Sequence, residues 1–192
     1  ASVTLGNSVA SIGSSAFYQC TSLSAVAIPD SVTSVRDYTF YQCSNLTSVT
    51  LGSSMASIGS SAFYQCASLS AVSIPDSVTS VGDSAFYQCS NLASVTLGSS
   101  MASIGSSAFY QCTSLISVSI PDNVTSVGDY TFYQCSSLAS VTLGSSVASI
   151  GTRAFYQCTS LLAVTIPDSV TSVGDSSFAS VTLGNSVASI GS

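Results

Sequence analysis

Seven cysteines, eight aspartates and nine tyrosines carry most of the chemistry open to this chain of 192 residues, which has no histidine, lysine, glutamate or tryptophan. A Ser-His-Asp or Cys-His nucleophile, a zinc site built on imidazole and a lysine nucleophile are therefore excluded. The thiols Cys20, Cys43, Cys66, Cys89, Cys112, Cys135 and Cys158 stand 23 residues apart with no CxxC pair. Each falls between a Phe and a Leu of the apolar pattern, which predicts a buried ladder of small side chains. Disulfides between stacked neighbours are awkward in parallel, in-register geometry, and the number of thiols is odd.

The aspartates form two series, Asp30, Asp76, Asp122 and Asp168 after Pro, and Asp37, Asp83, Asp129 and Asp175 after Arg or Gly. Both sit in turn chemistry, where a carboxylate accepts from local backbone amides. The alternative, a weak calcium site, is opposed by a separation of about 10 Å between carboxylates two coils apart. No neighbour tunes a carboxylate pair for acid–base work, and neither metal nor cofactor is expected. With only Arg36 and Arg153 as cations and a net charge of −6, the chain lacks the basic surface that nucleic acid or an anionic membrane requires. Ser, Thr or Gly breaks every apolar run well short of the ~18 residues of a spanning helix, so no membrane insertion is expected.

The elements that must position these residues follow from the period. Phe17, Phe40, Phe63, Phe86, Phe109, Phe132, Phe155 and Phe178 repeat the 23-residue step, and two alternating versions of the repeat make a 46-residue pair. In the first repeat the apolar positions are Val3, Leu5, Val9, Ile12, Ala16, Phe17, Cys20 and Leu23. That spacing suits neither a sustained helix nor a continuous strand; it suits a coil that turns. Ser2 to Leu5 alternates as a half-buried strand, Gly6 or Pro29 ends it, and Ser14 to Cys20 is suited to one short helical or 3₁₀ turn. One coil cannot bury its own apolar face, so the coils stack, with one parallel sheet at about 4.8 Å spacing. The chain is a single solenoid: 23-residue coils over 1–161, a shortened coil 162–178 and a final half-coil 179–192 that repeats residues 1–14.

The run Leu23-x-x-Val26-x-Ile28-Pro29-Asp30-x-Val32-x-x-Val35, followed by Phe40-x-x-Cys43 and Leu46, resembles the BspA-like, or Treponema pallidum-type, leucine-rich repeat family. The resemblance covers essentially the whole chain. It implies a right-handed leucine-rich-repeat solenoid and a secreted or cell-surface protein used in adhesion to host or matrix. It implies no particular ligand.

Three surfaces remain to be assigned. The outward positions of the predicted sheet are small and hydroxylated: Ser2, Thr4, Ser48, Thr50, Ser94, Thr96, Ser117, Ser119, Ser140, Thr142, Thr165, Ser180 and Thr182, with alanines in alternate coils. They fit a solvated face, an ordered water lattice of the ice-binding kind, or O-linked sugar. Tyr18, Tyr41, Tyr64, Tyr87, Tyr110, Tyr133 and Tyr156, with the adjoining glutamines, are expected to form outward ladders, the place for lateral or carbohydrate contact. Asn45 and Asn123 lie in N-glycosylation acceptor patterns.

Both ends carry ordinary repeat sequence and no initiator Met, which fits an excerpt of a longer array or ends that mate with other copies. The leading expectation is a non-enzymatic extracellular structural protein that stacks head to tail on itself into a filament or fibre. The alternatives are an adhesive module for a glycan or matrix protein, and an ice-binding solenoid.

Overall fold

The computed structural model describes residues 1–178; the half-coil 179–192, including Ser180 and Thr182, lies outside the described residues. The chain winds into a solenoid in which residue i sits beside residue i+23, as in Ser2 beside Ala25 and Ala25 beside Ser48. Strands Ser2–Thr4, Ala25–Ala27, Ser48–Thr50, Ala71–Ser73, Ser94–Thr96, Ser117–Ser119 and Ser140–Thr142 form one parallel sheet in chain order. Each projects its central Val inward and its flanking small residues outward, the alternation a half-buried strand requires.

A second parallel sheet corrects the expectation of one. It is built from the two-residue strands Ser34–Val35, Ser57–Ile58, Ser80–Val81, Ser103–Ile104, Ser126–Val127, Ser149–Ile150 and Ser172–Val173. Two residues are too few for alternation to show in the sequence, and they follow the Pro-Asp or Gly-Ser stretch that reads as turn. The shortened coil 162–178 keeps its place in this second sheet, while the first sheet ends at Ser140–Thr142.

The third flank corrects the helical expectation for Ser14 to Cys20. Three successive turns close through Ala16 N–H to Gly13 O (3.2 Å), Tyr18 N–H to Ser15 O (3.1 Å) and Cys20 N–H to Phe17 O (3.2 Å). A 3₁₀ segment would keep φ negative, yet Ser15 has φ 58° and Gln19 φ 55°, and both positions are left-handed in every following described coil that contains them. Left-handed non-glycine residues cost about 1 kcal/mol or more each. The same conformation aims amides at the next coil: Ser15 N–H donates to Asp37 O (3.0 Å), Phe17 N–H to Thr39 O (2.8 Å) and Gln19 N–H to Tyr41 O (2.7 Å). Hydrogen bonds between coils thus run along all three flanks.

The interior is a stack of identical layers. Phenylalanine rings lie face to face from Phe17 to Phe178 at centroid spacings of 5.1–5.4 Å, and those from Phe40 to Phe155 are buried. Leu46, Leu69, Met55 and the inward valines fill the space between them and the sheets. The two-coil alternation is a packing device. A Cβ on Gly52 would lie 2.5 Å from the Pro29 carbonyl oxygen, so the glycine-bearing coil fits closely over the proline-bearing one. Among the described residues, no helix is long and apolar enough to cross a membrane.

Candidate functional site

The Phe-Tyr-Gln tripeptide of each coil builds the most distinctive surface. Phe points into the core, and the left-handed Gln that follows Tyr turns the chain back and keeps both polar side chains outside. Tyr18, Tyr41, Tyr64, Tyr87, Tyr110, Tyr133 and Tyr156 stack at 4.5–5.3 Å with ring planes within 12° of parallel. Tyr18 is exposed and the other six are half-buried. Burial, reinforced by the neighbouring phenols, raises the Tyr41, Tyr87 and Tyr110 hydroxyls above their ordinary range and keeps them protonated.

Beside them runs an unbroken amide ladder. Gln19 Nε2 donates to Gln42 Oε1 (2.7 Å), Gln42 to Gln65 (2.6 Å), Gln65 to Gln88 (2.6 Å) and Gln88 to Gln111 (2.5 Å), continuing through Gln134 to Gln157. Three residues decorate this flank that the repeat pattern did not single out. Tyr38 and Tyr130 tilt against Tyr41 and Tyr133 at 5.8 Å, and the Arg153 guanidinium lies over the Tyr130 and Tyr156 rings at 5.9 and 5.7 Å. All three occupy the left-handed position that is Ser15 in the first coil. Their only sequence signal is a large residue where most coils have Ser.

The thiols are held apart from chemistry. Cys43 donates its S–H to Phe17 O (3.0 Å), and Cys66, Cys89, Cys112, Cys135 and Cys158 repeat that contact at 3.1–3.2 Å with the preceding coil. Burial pushes Cys43 up to about 11 and Cys89 and Cys158 up to about 12, with Cys66, Cys112 and Cys135 also well above the usual thiol range. Cys20 departs from the buried ladder: it is exposed.

The aspartates satisfy amides, though not local ones. Asp30 Oδ1 accepts from Ser53 N–H (2.6 Å) and Asp37 Oδ1 from Ser60 N–H (2.8 Å), each in the next coil. Asp76, Asp83, Asp122 and Asp129 do the same for Ser99, Ser106, Ser145 and Thr152. The amide of Ser99 and that of Ser145 hold the Asp76 and Asp122 carboxyls below the ordinary range. Among the described residues, no group of three or more Cys or Asp side chains is placed to share a metal ion.

The sheet hydroxyls from Ser2 to Thr142 named above are exposed, as is Thr165, which lies outside any strand. Threonine alternates across the strands with Ala27, Ser73 and Ser119, so no continuous threonine row forms. At the leading edge of this face Ile116 and Leu162 stand 57% and 79% exposed, two coils apart. Asn45 and Asn123 are exposed, but their side-chain amides donate to Thr21 O (2.7 Å) and Ser99 O (2.9 Å) of the preceding coil. A sugar on either nitrogen would leave one N–H to keep that bond.

The fold and its repeat decide the family. The sequence matches the BspA type leucine rich repeat region in six copies, over residues 1–114 and 56–185. The chain belongs to the BspA-type leucine-rich repeat family. A solved Treponema pallidum leucine-rich repeat protein is 31% identical with a TM-score of 0.78, over 83% of this chain and 77% of that one. The pneumococcal vaccine antigen PcpA shares the fold at 18% identity and a TM-score of 0.50, over 89% of this chain and 62% of its own. A comparison with curated proteins finds no match. In this chain the Tyr and Gln ladders run without a break from Tyr18 and Gln19 to Tyr156 and Gln157.

Proposed function

We propose that this BspA-type chain is a non-enzymatic structural rod, displayed outside the cell, that lengthens by coil-on-coil stacking. The observation that carries the reading is the common register of the first seven coils: backbone bonds on three flanks and ladders of Phe, Tyr, Gln and Cys pass from coil to coil in one geometry, while the shortened coil 162–178 continues the second sheet and the Phe stack. A coil is therefore the best-matched partner of another coil. Val26, Ile28, Val32 and Phe40 of the second coil are buried between the first coil and the third, so a coil's inward face is completed by the coils on either side of it. Extracellular display is what the family resemblance implies. Adhesion and ice binding draw less support from the sheet face, which offers neither large anchoring side chains over most of its length nor a continuous threonine row.

Electron microscopy of the full chain across a hundredfold dilution series tests the stacking. Filaments with an axial repeat of one chain, persisting on dilution, support it. Discrete rods of single-chain length at every concentration overturn it.

A further inference from the structure

The geometry points to the groove beside the glutamine ladder as a binding site for a neutral, extended chain of β-linked hexoses laid along the solenoid axis. This inference stands apart from end-to-end stacking and holds for a single rod. The groove is shallow and open to solvent along its length, with a volume of about 670 Å³. One wall is the ladder from Gln42 to Gln111; the facing row runs from Thr21 to Thr113, with Ala67 midway.

Each interior ladder bond consumes one amide N–H and one carbonyl lone pair, leaving every interior Gln a second N–H donor and a second lone pair. Bonds of 2.5–2.6 Å already fix these side chains in a row, so binding costs little further rotamer entropy. Paired donor and acceptor on one amide suit the vicinal hydroxyls of a sugar, each of which also donates and accepts. No Asp or Arg lines the groove, so a charged ligand would lose water there without gaining a counter-charge.

The repeat distance selects among neutral chains. Neighbouring tyrosines mark the step of these coils at 4.5–4.9 Å. An extended peptide presents like groups on one face every ~6.6 Å, twice the ~3.3 Å rise per residue, and slips out of register within two coils. In an extended β-1,4-linked hexose chain successive rings are turned over, so like hydroxyl edges recur every second ring, a step of about two coils that stays close to the ladder's register. The tyrosine faces are spent on one another, so the sugar is held by hydrogen bonds rather than by ring stacking, and modest affinity is expected.

The test is calorimetric and NMR titration of the full chain with cellohexaose. Saturable binding is expected, weakened at least about tenfold, or 1.4 kcal/mol, by Ala67→Trp, which fills the groove, and by Gln65→Leu with Gln88→Leu. Thr113→Trp, at an exposed lining position, blocks the same groove should the Ala67 variant misfold. Thr50→Tyr on the sheet face is expected to change nothing. The inference is overturned by no saturable binding, by binding that survives Ala67→Trp and Thr113→Trp in folded protein, or by equal binding of polygalacturonate. A scattering curve showing a second copy seated in the groove also overturns it.

Discussion

The first coil and the third have almost the same sequence and very different surroundings. Residues 1–23 and 47–69 differ at only four positions, Ala1/Thr47, Asn7/Ser53, Val9/Met55 and Thr21/Ala67. Yet Leu51, Ala62, Phe63 and Cys66 are buried, while Leu5 and Phe17 are half-covered and Ala16 and Cys20 are exposed. The difference teaches where the fold is made. A coil's own residues choose its turns and its inward face, but burial is supplied by the coils on either side, as expected of a quasi-one-dimensional array.

The sharpest way to break the comparison is to remove the same ring twice. Phe86→Ala in the middle of the stack is expected to cost about 3–5 kcal/mol, and Phe17→Ala less than half of that, by urea denaturation of each variant. Equal costs would mean that coverage by neighbours matters little. Glycine gives the next contrast. Gly52→Ala places a methyl against the Pro29 carbonyl and is expected to lose about 1–3 kcal/mol, whereas Gly6→Ala, at the equivalent position, meets nothing within 4 Å and stays within about 0.5 kcal/mol of the parent.

Thiol reactivity sharpens the same comparison without mutation. Cys20 is expected to react readily with a thiol reagent at neutral pH, while Cys43 to Cys158, buried and raised, react only after unfolding. A smaller effect concerns pH. The folded-state values of Asp76 and Asp122 are lowered, so their contribution is present above the ordinary carboxylate range and is lost as pH falls through the folded values, below about pH 4. Asp76→Asn with Asp122→Asn is expected to lower stability slightly at neutral pH, to leave it unchanged below the folded values, and so to flatten the acid limb of the stability curve.

The core was legible because apolar side chains declare their period: Phe40, Cys43 and Leu46 are buried where the 23-residue step places them. The features that escaped reading are those the backbone decides. Ser15 and Gln19 adopt positive φ without the Gly or Asn that usually marks it, since their amides are aligned with the next coil's carbonyls. Ser34–Val35 is a strand because Ser57–Ile58 lies beside it, and two residues carry no alternation of their own. Asp30 looked like a local turn residue, and its actual partner, Ser53, is one full coil away. The Gln series was visible as a row, but its continuous amide-to-amide bonding needed the coil spacing to appear.

Amide hydrogen exchange compares the two coils most directly. Phe17 and Gln19 donate to Thr39 and Tyr41 at 2.8 and 2.7 Å, and Phe63 and Gln65 donate to Ala85 and Tyr87 at 2.7 Å each, so the hydrogen bonds match and only the coverage differs. In dilute single rods, the Phe63 and Gln65 amides are expected to exchange much more slowly than those of Phe17 and Gln19. Equal protection in the first and third coils would contradict the claim that neighbouring coils, rather than each coil's own sequence, hold this fold together.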